Sequence, residues 1–343
     1  MDFFINLPTG RRKQLCEAAG DIIGLDAASI EKDFWVCWIL KELFALPQSG
    51  SHLTFKGGTS LSKGWKLIER FSEDIDVVIG RDFLGFGDNK APQYPRIGSN
   101  ERNRRLEALK SACQTHIREK LGPELRTAIQ RRMPKNASWN LSEDETDPDG
   151  QTLLLEYPSS FQVGTYLRPI VKIELGARSD TEPSEMPEIS SYLMEALPGE
   201  SDTGTFKIRT VAPERTFWEK AMLLHEETYR MGDGPKGRLA RHYYDLWCLI
   251  LKGVSEKAAA DMALFERVAA HRAVFFRKRK EAQDTLKPGT LRLIPAKDHL
   301  MAWKKDYQAM RESMFFGETP EFETILEAVS GFEKEFNGFG KGR

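Results

Sequence analysis

The chain has 343 residues, 40% of them hydrophobic and 29% charged, which is the composition of a soluble globular protein with length for one large domain or two ordinary ones. Its 50 basic and 51 acidic residues leave a net charge of −1, so no global basic field exists and any nucleic-acid surface has to be a local patch. Cys16, Cys37, Cys113 and Cys248 form no CxxC pair or zinc-ligand spacing, no run reaches the ~20 apolar residues of a membrane span, and the N-terminus lacks a signal peptide's apolar length. These features imply reduced thiols, no membrane partner and a cytoplasmic location.

The first 50 residues read as helical. Ile30, Phe34, Trp35, Trp38, Ile39, Leu43 and Phe44 recur at helical spacing as a core stripe. After a turn at 47–51, a short apolar run (Leu53, Phe55) meets Gly57-Gly58-Thr59-Ser60. A helical segment carrying Leu61, Trp65, Leu67 and Ile68 follows, then a strand opening Asp74-Ile75-Asp76 and running into Val77, Val78 and Ile79. Residues 82–100 read as a loop. Residues 100–132 read as charged helix, with Arg102, Arg104, Arg105, Lys110, Arg126, Arg131 and Arg132. The acidic stretch 134–150 reads as an exposed hairpin or loop. Strands are expected over 152–157, 166–176 and 205–211, interrupted by a Pro/Glu/Ser-rich stretch. Pro213 opens a helix, because proline fits a first helical turn. It runs to a Gly-rich break at 231–237, and helices are expected over 238–251, 256–276, 297–315 and 321–336. The fold class is α+β: a small mixed sheet with helices, then an all-helical C-terminal region. The domains are expected at 1–212 and 213–343.

Asp74 and Asp76 share one strand face, since side chains alternate. A solvated acidic turn is the plain alternative. Against it, Asp is disfavoured in strands, and Asp76 leads straight into an apolar run. Two carboxylates beside a Gly-rich turn with free N–H groups suit a divalent cation and a triphosphate. The glycines allow close approach to a ligand, although a Gly-Gly turn alone is equally a tight strand–helix connection. Lys172 and Glu174 also share a strand face, opposite Val171, Ile173 and Leu175. They are an ion pair, or Glu174 is a third metal carboxylate and Lys172 pairs with it or with phosphate. Lys220 in Glu214-Arg215-Thr216-Phe217-Trp218-Glu219-Lys220 is a triphosphate contact or part of a solvated helix face. Arg241 and Asp245 are four apart and form a helical pair unless a ligand recruits them.

These blocks, EKDFWV (31–36), FKGGTSLSKGW (55–65), RFSEDIDVVI (70–79), VKIELG (171–176), ERTFWEKAMLLH (214–225) and RHYYDLW (241–247), resemble the AbiEii/AbiGii toxin nucleotidyltransferases. That family lies within the DNA polymerase β-like nucleotidyltransferase superfamily and is related to the tRNA-modifying MenT toxins. The resemblance implies a polymerase β-like core and a toxin of a toxin–antitoxin or phage-defence (abortive infection) system. Such a toxin transfers NMP from an NTP, with Mg²⁺ or Mn²⁺, to an acceptor hydroxyl at the 3′ end of tRNA or another RNA. It also implies a cognate antitoxin partner. By motif, the catalytic residues fall on Ser60, Asp74, Asp76, Lys172 and Glu174, with Asp74, Asp76 and Glu174 as metal ligands. Nucleotide contacts fall on Lys56, Gly57, Gly58, Thr59, Ser60, Lys63, Lys220, Arg241 and Asp245. His242 stands where the family usually has Asp. Arg102, Arg104, Arg105, Lys110, Arg131 and Arg132, with the RKRK run at 277–280, are candidates for RNA phosphates or solvated faces. Two alternatives stay open: transfer of NMP to a protein hydroxyl, and an inactive binding or regulatory module.

Overall fold

The computed structural model describes residues 1–161, 168–199, 204–230, 237–276, 280–315 and 319–339. The chain divides into two compact units: Met1–Gly64 with Ser72–Val211, and Trp65–Phe71 with Ala212–Arg343.

The first unit opens with helices α1 (Asp2–Ile5), α2 (Thr9–Ile23) and α3 (Ala27–Phe44). Asp26 caps α3 by accepting from Ser29 N at 3.0 Å. The stripe from Ile30 is core, and burial extends beyond it: Val36, Cys37 and Leu40 are also buried. A helix covered on all sides is a central element rather than an amphipathic surface one.

Strand β1 (Leu53–Lys56) leads directly into α4 (Gly57–Lys63), and β2 (Asp74–Ile79) follows. The helix is shorter than the sequence suggests. It ends at Gly64, Lys66 takes a positive φ of 52°, and Trp65–Phe71 groups with the second unit. Next come α5 (Ser99–His116), a π-helical turn (Ile117–Leu121), α6 (Gly122–Arg132), β3 (Asn140–Glu143), β4 (Thr152–Glu156) and β5 (Ile170–Gly176). Residues 166 and 167 of the expected strand lie outside the described residues. The polar stretch before β4 supplies β3, which hairpins onto β4 as a sheet edge, where polar residues resist further pairing. Short elements close the unit: β6 (Ser184–Glu185), β7 (Glu188–Ile189), α7 (Tyr192–Ala196), β8 (Phe206–Lys207) and β9 (Thr210–Val211).

The main sheet runs β3-β4-β5-β2-β1-β9-β6, with β7 and β8 paired separately. It is mixed. β2 is parallel to β5 and antiparallel to β1, which is parallel to β9. In β2 and β5 the buried residues Ile75, Val77, Val171, Ile173 and Leu175 alternate with half-buried charged residues, so one face is core and the other presents the charged side chains.

Every element in the second unit longer than an isolated bridge is helical among the described residues: α8 (Pro213–Thr228), α9 (Arg241–Leu251), α10 (Val254–Ala260), α11 (Met262–Phe275), α12 (Lys280–Asp284), α13 (Leu300–Met314) and α14 (Phe322–Phe339), with one 3₁₀ turn at Lys297–His299. The single helix expected over 256–276 is broken at Asp261, whose side chain accepts from Leu264 N at 3.0 Å and starts a new helix. Trp218, Phe265, Phe332 and Phe336 form its aromatic core. Residues 231–236 of the Gly-rich break and 277–279 of the RKRK run lie outside the described residues. No described helix is long and apolar enough to cross a membrane.

Candidate functional site

The parallel pairing of β2 with β5 sets Asp74 opposite Lys172 and Asp76 opposite Glu174. On the other side of β2, Lys56 stands opposite Asp76. Period-two alternation therefore brings Asp74, Asp76, Lys172 and Glu174 onto one half-buried sheet face, as their spacing implies. Lys172 Nζ lies 2.7 Å from Glu174 Oε1, and both side chains are substantially exposed. Partial burial pulls the Lys172 pKa down, but the hydrogen bond and charge of Glu174, with Asp74 and Asp144, outweigh it and leave the pKa raised.

Gly57 adopts a φ of +84°, and a Cβ there would meet Asp76 Oδ2 at 2.1 Å. The Asp76 carboxylate thus lies against the glycine's backbone, in space that any side chain would fill. Gly57→Ala is expected to cost about 1–2 kcal/mol for the left-handed backbone alone and to displace Asp76 as well. A melting temperature lowered by several degrees together with weakened transfer would bear this out. A fully stable, fully active variant would refute it.

The hydroxyls of the turn point inward. Thr59 is wholly buried; its Oγ1 donates to the Asp74 carbonyl and lies 2.8 Å from Ser72 Oγ. Ser60 is equally buried, and its Oγ donates to the Gly57 carbonyl at 2.9 Å. Both build the turn rather than line its outer surface. Lys56 Nζ donates to Ser179 Oγ at 3.0 Å. Lys63 is buried in an ion pair with Asp33 and stands over the Tyr192 ring, so the structure commits it to the interior and not to an open nucleotide surface.

The donor chemistry of Asp74 and Asp76 fits a hard divalent cation, and Gly57 leaves the room that Asp76 needs. Glu174 is held by Lys172, and among the described residues no three His, Cys, Asp or Glu side chains gather into a ready metal site. The three carboxylates expected as ligands share a face without forming a closed cage.

Lys220, Arg241 and Asp245 belong to the second unit. The expected Arg241–Asp245 pair does not form. Arg70 grips Asp245 in a fork (Nε to Oδ1 2.7 Å, Nη2 to Oδ2 2.9 Å), and Lys220 Nζ lies 2.8 Å from Oδ2. Asp245 is wholly buried; burial raises its pKa, but Arg70 and then Lys220 overcome this and hold it well below the usual carboxylate range. Arg241 forms no ion pair among the described residues. His242 Nδ1 is 3.5 Å from Lys220 Nζ, and burial followed by the Lys220 charge pushes its pKa far down. Sequence reasoning missed Arg70. A cation among Leu67, Ile68 and Phe71 signals a buried ion pair, but spacing does not name the partner.

Most of the basic residues proposed for RNA have internal partners. Arg104 and Arg105 share Glu101, Lys110 meets Asp149, Arg132 meets Asp2, and Arg102 donates to a backbone carbonyl. Surface pairs of this kind contribute little to stability. A groove of about 680 Å³ between α3 and α6, lined by Leu46, Glu124, Arg131 and Arg132 among others, includes none of the sheet-face carboxylates and none of the Gly-turn residues. The Lys172 and Glu174 side chains of the sheet face are open to solvent.

A profile described as the nucleotidyl transferase AbiEii toxin, type IV TA system, matches residues 38–328, most of the chain. None of the curated proteins gives a significant match. Among solved structures, MenT4, a nucleotidyltransferase toxin from Mycobacterium tuberculosis H37Rv, is 17% identical, with 97% of this chain and 98% of that chain covered and a TM-score of 0.40. The extent of the profile match decides the assignment: the chain belongs to the AbiEii nucleotidyl transferase toxin family.

Proposed function

We propose that this chain is a toxin that transfers NMP from an NTP to an acceptor hydroxyl, with the 3′ end of tRNA as acceptor and a cognate antitoxin as partner in the cytoplasm. The observation that carries the proposal is the in-register face of Asp74, Asp76, Lys172 and Glu174, with Asp76 seated against Gly57. Asp74 and Asp76 would hold Mg²⁺ or Mn²⁺, and Glu174 would join them once Lys172 releases it. A cation held by these carboxylates would supply charge neutralisation at the triphosphate and activation of the acceptor hydroxyl. Lys172, kept protonated, offers its ammonium to the triphosphate. The acceptor oxygen forms a bond to the α-phosphorus, its proton passes to a carboxylate of the same face, and the bond to the β-phosphate oxygen breaks to release pyrophosphate. Orientation by the rigid sheet and charge neutralisation provide most of the acceleration.

Transfer to a protein hydroxyl is the second reading. It is favoured by the internal pairing of the basic residues, whereas the open face admits either kind of macromolecule. An inactive module is disfavoured because every carboxylate of the face is intact. Incubation with total tRNA, Mg²⁺ and each α-³²P-NTP in turn separates these readings. Label in RNA supports the proposal and identifies the donor, label in protein alone moves the acceptor, and no label from folded protein that also fails to bind NTP ends the enzymatic reading.

A further inference from the structure

Three consecutive charged residues of α3, Glu31, Lys32 and Asp33, are buried to 1%, 4% and 1% exposure. Successive helix positions point about 100° apart, so three in a row cannot share one partner. Each reaches a different segment. Glu31 accepts from Ser159 Oγ at 2.7 Å and from Ser160 N at 2.9 and 3.0 Å. Lys32 pairs with Glu73, the residue before Asp74. Asp33 pairs with Lys63 at the end of α4 and accepts from Tyr192 N at 2.7 Å.

We infer that Lys32 and Asp33 are positioning residues of the transfer site, holding the Asp74 end of β2 and the far end of α4 in fixed register from one turn of α3. This rests on the function proposed above. Buried ion pairs are a poor means of stabilising a fold, because well-packed apolar groups of the same volume do as well or better; their best-attested use is to specify register. The placement fits that use. Glu73 is held by Lys32, while Thr59 of α4 bonds the residues on either side of it, through Ser72 Oγ and the Asp74 carbonyl. The entrance to the metal strand is thus tied to two helices at three successive residues, and the lower end of α4 is tied to the same α3 turn. Asp74 is left with little freedom except at its side chain.

Lys32→Met is the informative variant. It keeps the chain length of the stem, leaves no buried charge of its own, and frees a Glu73 carboxylate that is 31% exposed and able to hydrate. The variant is expected to fold, to bind Mn²⁺ about tenfold more weakly by electron paramagnetic titration, and to lose kcat by a similar factor with the KM for NTP little changed. Loss of a group that orients a metal ligand has effects of roughly that size. Lys32→Arg restores most of both, which a mere packing role would not do. A folded Lys32→Met with wild-type Mn²⁺ affinity and kcat overturns the inference. If the wild-type protein itself neither binds Mn²⁺ nor transfers nucleotide, the function reading fails on its own, and amide exchange over residues 72–76 decides the positioning claim: faster exchange in Lys32→Met upholds it, unchanged exchange overturns it.

Discussion

Asp76→Ala is expected to abolish labelled nucleotide transfer, by a factor on the order of 10³ or more, in a protein that still folds. A carboxylate that holds the catalytic cation contributes several kcal/mol to the transition state, and each ~1.4 kcal/mol is tenfold in rate. The fold has little reason to miss the side chain. Asp is among the residues least suited to a strand, and the whole strand-propensity scale spans only about 1 kcal/mol. Asp76 sits half-buried between Lys56 and Glu174 in register, over a glycine that has no side chain to support it. A residue held where the backbone disfavours it, beside a glycine that makes room for it, suits the metal-ligand role proposed for it. The check is the α-³²P-NTP assay paired with a thermal melt. Activity retained in Asp76→Ala would remove the central carboxylate from the mechanism, and activity lost together with the melt would mean that the residue is structural.

What the sequence made legible follows from range. The pairing of Asp74 with Asp76 and of Lys172 with Glu174 on common faces depends only on strand periodicity, and the structure joins the two pairs by direct β2–β5 register. The assignment of Ser60, Thr59 and Lys63 to a nucleotide surface came from the motif they sit in. Their side chains instead turn into the unit, because a seven-residue helix packed between strand and core must bury most of its faces. The Arg241–Asp245 pair was a local inference of the i,i+4 kind, and a stronger partner displaced it. Arg70 lies 175 residues from Asp245, and its planar fork matches a carboxylate bidentately, which no sequence spacing encodes. Helix ends failed in the same manner. Asp261 reads as one more polar residue in a helical run until its side chain is seen to cap the helix that follows.

Asp245 separates a direct role from an architectural one, and its substitution has the largest expected effect on stability. Asp245→Ala leaves Arg70 and Lys220 as buried cations facing each other with no anion between them. Breaking such a cluster from one side costs about 3–5 kcal/mol, which corresponds to a fall in melting temperature on the order of 10 °C. The pH dependence follows from the lowered carboxyl pKa. A carboxyl held below its unfolded value, ordinarily about 3.9, contributes stability that is fully present above that value and lost as pH falls through the folded one. Wild-type protein should therefore lose stability steeply in urea melts below about pH 4, and Asp245→Asn, lower at neutral pH, should show a shallower acid slope. The loss should fall on the second unit, where Arg70 anchors Trp65–Phe71 to α9 and pairs with Phe315 as a backbone bridge. If Asp245→Ala instead melts like the wild type and abolishes transfer, the carboxylate contacts nucleotide directly, and its burial in this structure describes a state that the substrate opens. A lowered melt, with the activity that remains in the folded fraction keeping an unchanged KM for NTP, makes Asp245 the anchor of the segment that precedes β2.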